Sequence, residues 1–361
     1  MGELTIEMQI ERPEPIISDV DILKYTKRQD PQIAIETLIE GNYVIIKDFY
    51  STGLSLLSEL KKYLQNSNSK QSFKEQRDFR SVYREISHRL LLLVQDNKLV
   101  VRKAPMIGWL NKLYPELNEF LLPFPQVQGL NSSWQWYERG ISIPVLHKKI
   151  HPFFGTYFPT RFEHLKLFDN WLKQYRGSKE LGIDVGIGCG VLTFQMIKHG
   201  FKKVIGTDSN PNAIIGLTED LTGNNLSSKI GLIHGDLFAN CDEKTELIVF
   251  NPPWLPASHN IEGLDKAIYY DSELFPRFFT EAKNHLTDKG KLILLFSNLA
   301  KISGLTDKHP IKKELAEGGR FKKELFLEKK AGPASKKTKR DQNWRNSEMV
   351  ELWVLKIADT K

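Results

Sequence analysis

The stretch Leu181-Gly182-Ile183-Asp184-Val185-Gly186-Ile187-Gly188-Cys189-Gly190 decides how this chain must fold. Its first five residues are a short apolar run closed by an acid, the pattern of a buried strand. Alternating glycines follow, and Val191 to His199 then reads as a helix. A strand that breaks into a glycine loop and re-enters a helix sits at the carboxyl edge of an open α/β sheet, where ligands bind. Glycine lets the backbone approach a ligand that a Cβ would obstruct. The dinucleotide fingerprint Gly-x-Gly-x-x-Gly needs glycine at its last position, and this chain has Val191 there. That departure speaks against a nicotinamide-dependent oxidoreductase.

Downstream of this loop, apolar strands alternate with helical patterns. Lys203 to Asp208, Ile230 to Ile233, Leu247 to Phe250 and Lys291 to Phe296 read as strands two to five. Helix signals begin again at Pro211. Such alternation implies a parallel sheet covered on both faces. Phe321 to Leu327 and Val350 to Ile357 add two late strands, the second expected to insert antiparallel. Asp208 closes the second strand, Gly235-Asp236-Leu237 follows the third, and Asn251-Pro252-Pro253-Trp254 follows the fourth. Taken alone, Asp208 could cap the next helix, Asp236 could stabilise a turn, and Asn-Pro-Pro is a common turn sequence.

Together these segments resemble the class I S-adenosylmethionine-dependent methyltransferases of the amino-group type, from about Phe154 to Asn298. The resemblance implies an α/β, Rossmann-like, doubly wound seven-stranded sheet, mostly parallel with the last strand antiparallel. It implies S-adenosylmethionine as cofactor. Asp184, Gly186, Gly188 and Gly190 inherit the motif around the amino-acid and ribose parts of that cofactor, and Asp208 the site of both ribose hydroxyls. One carboxylate can accept two hydrogen bonds from a vicinal diol. Asp236 and Leu237 fall on the adenine side, where a carboxylate accepts from the amino group and a leucine packs on the ring.

Asn251, Pro252, Pro253 and Trp254 match the Asn-Pro-Pro-aromatic signature of enzymes that methylate nucleobase amino groups or the side-chain amide of glutamine. The lone pair of such a nitrogen is delocalised, so the nitrogen is a poor nucleophile. Two acceptors aimed at its hydrogens, the Asn251 side-chain oxygen and the Pro252 carbonyl, would draw it toward a tetrahedral geometry. The prolines stiffen the loop beforehand. Trp254 offers a flat face for a flat substrate, where Tyr or Phe is commoner. No strong general base is required, because the nitrogen becomes acidic as the methyl arrives.

Gly155-Thr156-Tyr157-Phe158-Pro159-Thr160-Arg161 is similar to a loop that closes over the cofactor, with Tyr157 or Phe158 lining the methyl donor and Arg161 meeting its carboxylate; a packed linker is the alternative. His147 and His151 are four apart and read as structural, with no third ligand in the sequence, so no metal is expected. Residues 1–130 are expected to form a mostly helical α+β accessory or substrate-recognition domain, 131–160 a linker and covering loop, and 161–361 the catalytic domain. In the first region Asp30-Pro31 starts a helix, Ser51 caps a second, and Ser72 to Leu93 reads as a third. Asp96-Asn97 is a turn, and the prolines between Tyr114 and Gly129 close the region. Trp134, Trp136 and Tyr137 are a substrate surface or interdomain core.

The remaining signals bound the partners. The 361 residues, with 40% hydrophobic and 26% charged side chains, suit a globular protein of two domains. No apolar run spans a membrane, and the N-terminus lacks a secretory pattern. Cys189 and Cys241 show no paired spacing, so a cytoplasmic location is expected. The formal charge of +7 and the basic stretch Lys329 to Arg340, with Trp344 and Arg345 nearby, suit RNA, although a solvated loop explains the stretch as well. The expected substrate is therefore a macromolecule, RNA ahead of protein glutamine as in release-factor methyltransferases. A small-molecule amine, or a partner protein that binds the cofactor without catalysis, are the alternatives.

Overall fold

The computed structural model describes residues 8–17, 21–66, 73–222, 225–257, 267–332 and 347–359. The chain divides into two compact units, Arg12–Glu138, and Arg139–Lys361 together with Met1–Glu11.

In the first unit a mixed sheet organises the helices. Strands β1 (Ile22–Tyr25), β2 (Tyr43–Ile46) and β3 (Leu90–Gln95) run parallel, while β4 (Lys98–Leu99) and β5 (Glu119–Pro123) pair antiparallel with β3. Helices α1 (Pro31–Ile39), α2 (Tyr50–Asn66), α3 (Phe73–Ser87), α4 (Trp109–Leu113) and α5 (Phe124–Arg139) complete it. Asp30 caps α1 as its sequence predicts, accepting from the Gln32 N–H. Ser51 caps nothing; it lies one residue inside α2. The expected helix from Ser72 to Leu93 is instead α3 followed by β3. Leu90, Leu91 and Leu92 are wholly buried in the sheet, and an unbroken apolar run has no period that separates strand from helix. Asp96 and Asn97 both adopt positive φ between β3 and β4, as the tight turn requires. Pro123 and Pro125 mark the end of β5 and the start of α5 rather than an irregular closure. The aromatic cluster belongs to this unit: Trp134 and Tyr137 on α5 pack on the buried Trp109 of α4, at centroid distances of 5.4 and 4.6 Å.

The second unit opens with a hairpin of β6 (Ile141–Ile143) and β7 (Lys148–Ile150). His147 and His151 flank β7, so they share no helical face. Helix α6 (Glu163–Gln174) leads into β8 (Leu181–Val185), α7 (Val191–Lys198), β9 (Lys203–Asp208), α8 (Pro211–Leu221), β10 (Ile230–His234) and β11 (Thr245–Phe250). A short parallel pair, β12 (Leu255–Pro256) and β13 (Tyr269–Tyr270), precedes α9 (Leu274–His285) and β14 (Leu286–Ser297). Helices α10 (Leu299–Ile302) and α11 (Pro310–Lys313) lead to β15 (Phe321–Lys330) and β16 (Met349–Ile357).

The seven strands lie in the order β10-β9-β8-β11-β14-β16-β15. All the pairings from β10 to β14 are parallel, and β16 inserts antiparallel between β14 and β15. The α/β, doubly wound, seven-stranded architecture expected from the strand pattern is the one observed.

The sheet divides its side chains by strand periodicity. Leu247, Val249, Ile293 and Leu295 pack toward Phe168 of α6 and Phe194 and Met196 of α7. Ile248, Phe250, Leu292 and Leu294 face the opposite way, onto Phe275, Phe278 and Phe279 of α9. Burial on both faces is why these strands read as unbroken apolar runs. No described helix is long and apolar enough to cross a membrane, and Cys189 and Cys241 are buried, free thiols.

Ile248 is fully buried in the strand next to β8. Ile248→Ala is expected to destabilise the second unit by about 2–5 kcal/mol, the usual range for such a cavity. Denaturant titration of the variant checks this, and a loss below about 1 kcal/mol would show that the sheet centre is not close-packed.

Candidate active site

Register sets the site. Val185 of β8 lies level with Thr207 of β9 and Phe250 of β11, and Asp208 lies level with His234 of β10. The loops that leave these strands therefore emerge side by side at the carboxyl edge. Strand order reverses between β8 and β11, so the loops there part to opposite faces and leave a crevice. A cavity of about 760 Å³ occupies it, walled by residues of all four loops.

The glycine loop follows from its dihedrals. Gly186, Gly188 and Gly190 have φ of +66°, +50° and +76°, in the left-handed region that side chains avoid. A Cβ on Gly190 would also meet Leu217 at 2.9 Å. The Gly188 N–H donates to Asp208 Oδ2 at 2.8 Å, and the Asn210 N–H donates to Asp208 Oδ1, also at 2.8 Å. Burial pushes the Asp208 carboxyl up, while these two N–H groups pull it down. The cap of α8 is Asn210, which accepts from the Asn212 N–H. Asp208 is thus relieved of the capping role and stands in the cavity wall. Its oxygens keep lone pairs that a vicinal diol can use.

Asp184 lies beneath the loop rather than in the wall. It is 1% exposed and accepts from Thr193 Oγ1 at 2.7 Å, and its Oδ1 has no hydrogen-bond partner. Burial pushes its carboxyl up to about 7. On the far side, Asp236 lines the cavity and accepts from Arg277 of α9 at 2.6 Å. Leu237, also in the wall, holds a φ of +51°, and its carbonyl accepts from Thr207 Oγ1 at 2.6 Å. That bond pins a conformation rare for a residue with a Cβ.

Asn251, Pro252, Pro253 and Trp254 leave β11 along the same cavity. Trp254 is not an open platform. It packs against the apolar clusters on both sheet faces, and its ring meets the His164 imidazole edge-on at 5.5 Å. Its indole N–H donates to Asn251 Oδ1 at 3.2 Å and to the Leu295 carbonyl at 3.3 Å.

Of the upstream loop, Tyr157 lines the cavity, whereas the half-buried Phe158 packs against the core. Arg161 is outside the wall and ion-paired with the buried Glu348 beside β16, so it secures the loop to the sheet. The basic stretch expected to track RNA lies, from residue 333 to 346, outside the described residues.

Residues that sequence reasoning passed over complete the site. Asn212 is fully buried; its side chain accepts from the Glu11 N–H and donates to the carbonyls of Glu11 and Phe154. Asn210 donates to the Gly155 carbonyl at 2.9 Å. Two covering segments are thereby clasped to the start of α8. Asn-Pro-Asn was readable as a helix start, but not its long-range partners. His164 and Thr156 also border the cavity, and each keeps a buried atom, Nδ1 and Oγ1, without a hydrogen-bond partner. Burial holds His164 down at about 4, so it is neutral near pH 7.

Residues 166–322 match the family model described as Methyltransferase small domain. This segment is a methyltransferase small domain. It is of the class I type, and its cofactor is S-adenosylmethionine. A Methanocaldococcus jannaschii protein with a provisional protein N5-glutamine methyltransferase name is 33% identical over 124 residues, which cover 32% of this chain and 61% of that one. A ribosomal protein L11 methyltransferase of Lachnospira eligens is 35% identical over 85 residues, 23% of this chain and 27% of that one. The chain thus spans less than two thirds of the length of these relatives. The solved ribosomal protein L11 methylase of Lactobacillus delbrueckii subsp. bulgaricus superposes with a TM-score of 0.38 at 19% identity, covering 57% of this chain and 83% of that one.

The residues present in the methyltransferase domain fit the cofactor. Glycines at Gly186, Gly188 and Gly190 allow close approach of the backbone, and a carboxylate pre-organised by two N–H groups suits a ribose diol. Asp208→Ala is expected to weaken S-adenosylhomocysteine binding at least about tenfold, since two hydrogen bonds to a charged group are lost. Calorimetric titration reads the change, and unaltered affinity would remove Asp208 from the site.

Asp184 gives a pH signature. A buried acid with a folded pKa near 7 binds more protons folded than unfolded between about pH 4 and 7, so its contribution to stability falls as pH rises through that window. Denaturation at about pH 5 and about pH 8 should show the smaller stability at the higher pH. In Asp184→Asn that difference should shrink; an unchanged difference would assign it to other groups.

Proposed function

We propose that this protein transfers the methyl group of S-adenosylmethionine to a planar amino or amide nitrogen of a macromolecule. One observation supports the reading: Asn251 and Pro252 line the same cavity as Asp208 and the glycine loop. The bound cofactor supplies an electrophilic methyl on a sulfonium centre.

The chain's own groups hold the acceptor. Asn251 Oδ1 and the Pro252 carbonyl accept the two hydrogens of an NH2 group, which localises the lone pair on the side facing the donor. The buried Pro252 and its neighbour Pro253 fix these oxygens before substrate arrives, so little reorganisation opposes the reaction. The methylated nitrogen becomes acidic and releases its proton to water. A neutral His164 at the cavity wall adds no positive charge against the incoming sulfonium.

RNA is the first reading of the acceptor, on the net charge of +7 and the basic stretch beginning at Lys329. Protein glutamine is the second, favoured by the name of the Methanocaldococcus jannaschii relative. Incubation with methyl-labelled cofactor and cell extract, followed by ribonuclease or protease, separates them. Label released by ribonuclease supports RNA, and label released only by protease overturns it in favour of protein. Asn251→Ala should lower turnover by at least about a hundredfold, the scale seen when one preorganised polar group is removed, with cofactor affinity held. Retention of turnover would sink the assigned chemistry.

A further inference from the structure

We infer that Trp254 is a positioning residue: its indole N–H orients the Asn251 amide so that oxygen, and not nitrogen, meets the target NH2. The inference rests on the reading of Asn251 as the acceptor that holds the target nitrogen.

The geometry begins with an ambiguity intrinsic to asparagine. Its side-chain amide carries an acceptor oxygen and a donor NH2 of almost equal size, exchanged by a half-turn of the terminal torsion. Only one orientation can hold an amino substrate, because the other sets donor against donor. A group that only donates, placed beside the amide, removes the ambiguity. The Trp254 Nε1–H is such a group, and it stands 3.2 Å from Asn251 Oδ1. An acceptor in its place would favour the wrong face.

The indole is itself held. Its N–H is shared with the Leu295 carbonyl at 3.3 Å, near the carboxyl end of β14. Its ring is wedged between the apolar clusters of both sheet faces. His164 meets it edge-on from α6. These contacts leave the N–H little freedom, and the amide oxygen that receives it retains a second lone pair for the substrate. A phenylalanine or tyrosine ring has no donor at the indole Nε1 position. The tryptophan therefore supplies orientation through its N–H, whereas a stacking role would need only its faces.

The closing experiment removes the N–H and keeps the shape. Trp254 is replaced by 3-benzothienylalanine, in which sulfur stands where indole carries N–H, and by Trp254→Phe. Asn251→Ala is carried alongside. Initial rates of label transfer from methyl-labelled S-adenosylmethionine into cell-extract polymer are read with S-adenosylhomocysteine affinity for every variant. Heteronuclear spectra of the side-chain amides, with Asn251 assigned by its loss in Asn251→Asp, report orientation without an acceptor.

The isostere is expected to lower the rate about five- to tenfold, the worth of one hydrogen bond of about 1 kcal/mol, with cofactor affinity unchanged. It should also shift and broaden the Asn251 amide pair as the amide begins to flip. A full rate in the isostere, with an inactive Asn251→Ala, overturns this inference alone. An active Asn251→Ala overturns the reading beneath it. An unshifted Asn251 amide in the isostere overturns the orientation argument whatever the rates, and it remains readable if Trp254→Phe does not fold.

Discussion

The hydrogen bond from the Gly188 N–H to the Asp208 carboxylate is the constraint on which the site depends. It joins the loop after the first strand of the catalytic sheet to the end of the second. The loop can reach Asp208 because consecutive alternate residues take positive φ, which a side chain would oppose. The carboxylate can stay in place because its other oxygen accepts from Asn210. Parallel pairing sets Val185 level with Thr207, so the loop and Asp208 leave neighbouring strands side by side.

The cover and the Asn251 side of the cavity are built by the same economy. Asn210 and Asn212, at the start of one helix, hold the carbonyls of Gly155, Phe154 and Glu11, so two segments remote in sequence close over the crevice at one point. Across the cavity Trp254 ties Asn251 to the inner sheet. In each case a side chain with a unique donor or acceptor pattern fixes a group that would otherwise have alternatives. Burial acts most directly at Asp184, where it pushes the carboxyl below the loop up to about 7.

Much of this was readable in the chain. The strand starts near Leu181, Lys203, Ile230, Phe321 and Val350 agree with the sheet, because strands buried on both faces are continuous apolar runs between turn residues, whereas β11 already begins at Thr245 and β14 at Leu286, ahead of the apolar runs at Leu247 and Lys291. The misreadings have equally physical origins. Ser72 to Leu93 joined an amphipathic helix to the leucines of a strand, where hydrophobicity carries no period. For Arg161 the sequence leaves a ligand contact and a packed linker both open, and the ion pair with Glu348, nearly two hundred residues away, favours the linker. The aromatic cluster of Trp134 and Tyr137 found its partner in Trp109, which no local pattern signalled.

By itself the sequence determined the layered α/β domain, the glycine loop, the acids at the strand ends and the Asn-Pro-Pro-Trp segment, since each depends on local dihedral preference or on hydrophobic period. Only the tertiary structure decided which acid stands in the wall and which lies beneath it, what covers the crevice, and that Trp254 spends its N–H on Asn251. Those outcomes are set by pairwise hydrogen bonds between segments far apart along the chain. A donor's identity is written in sequence, but its partner is chosen by packing.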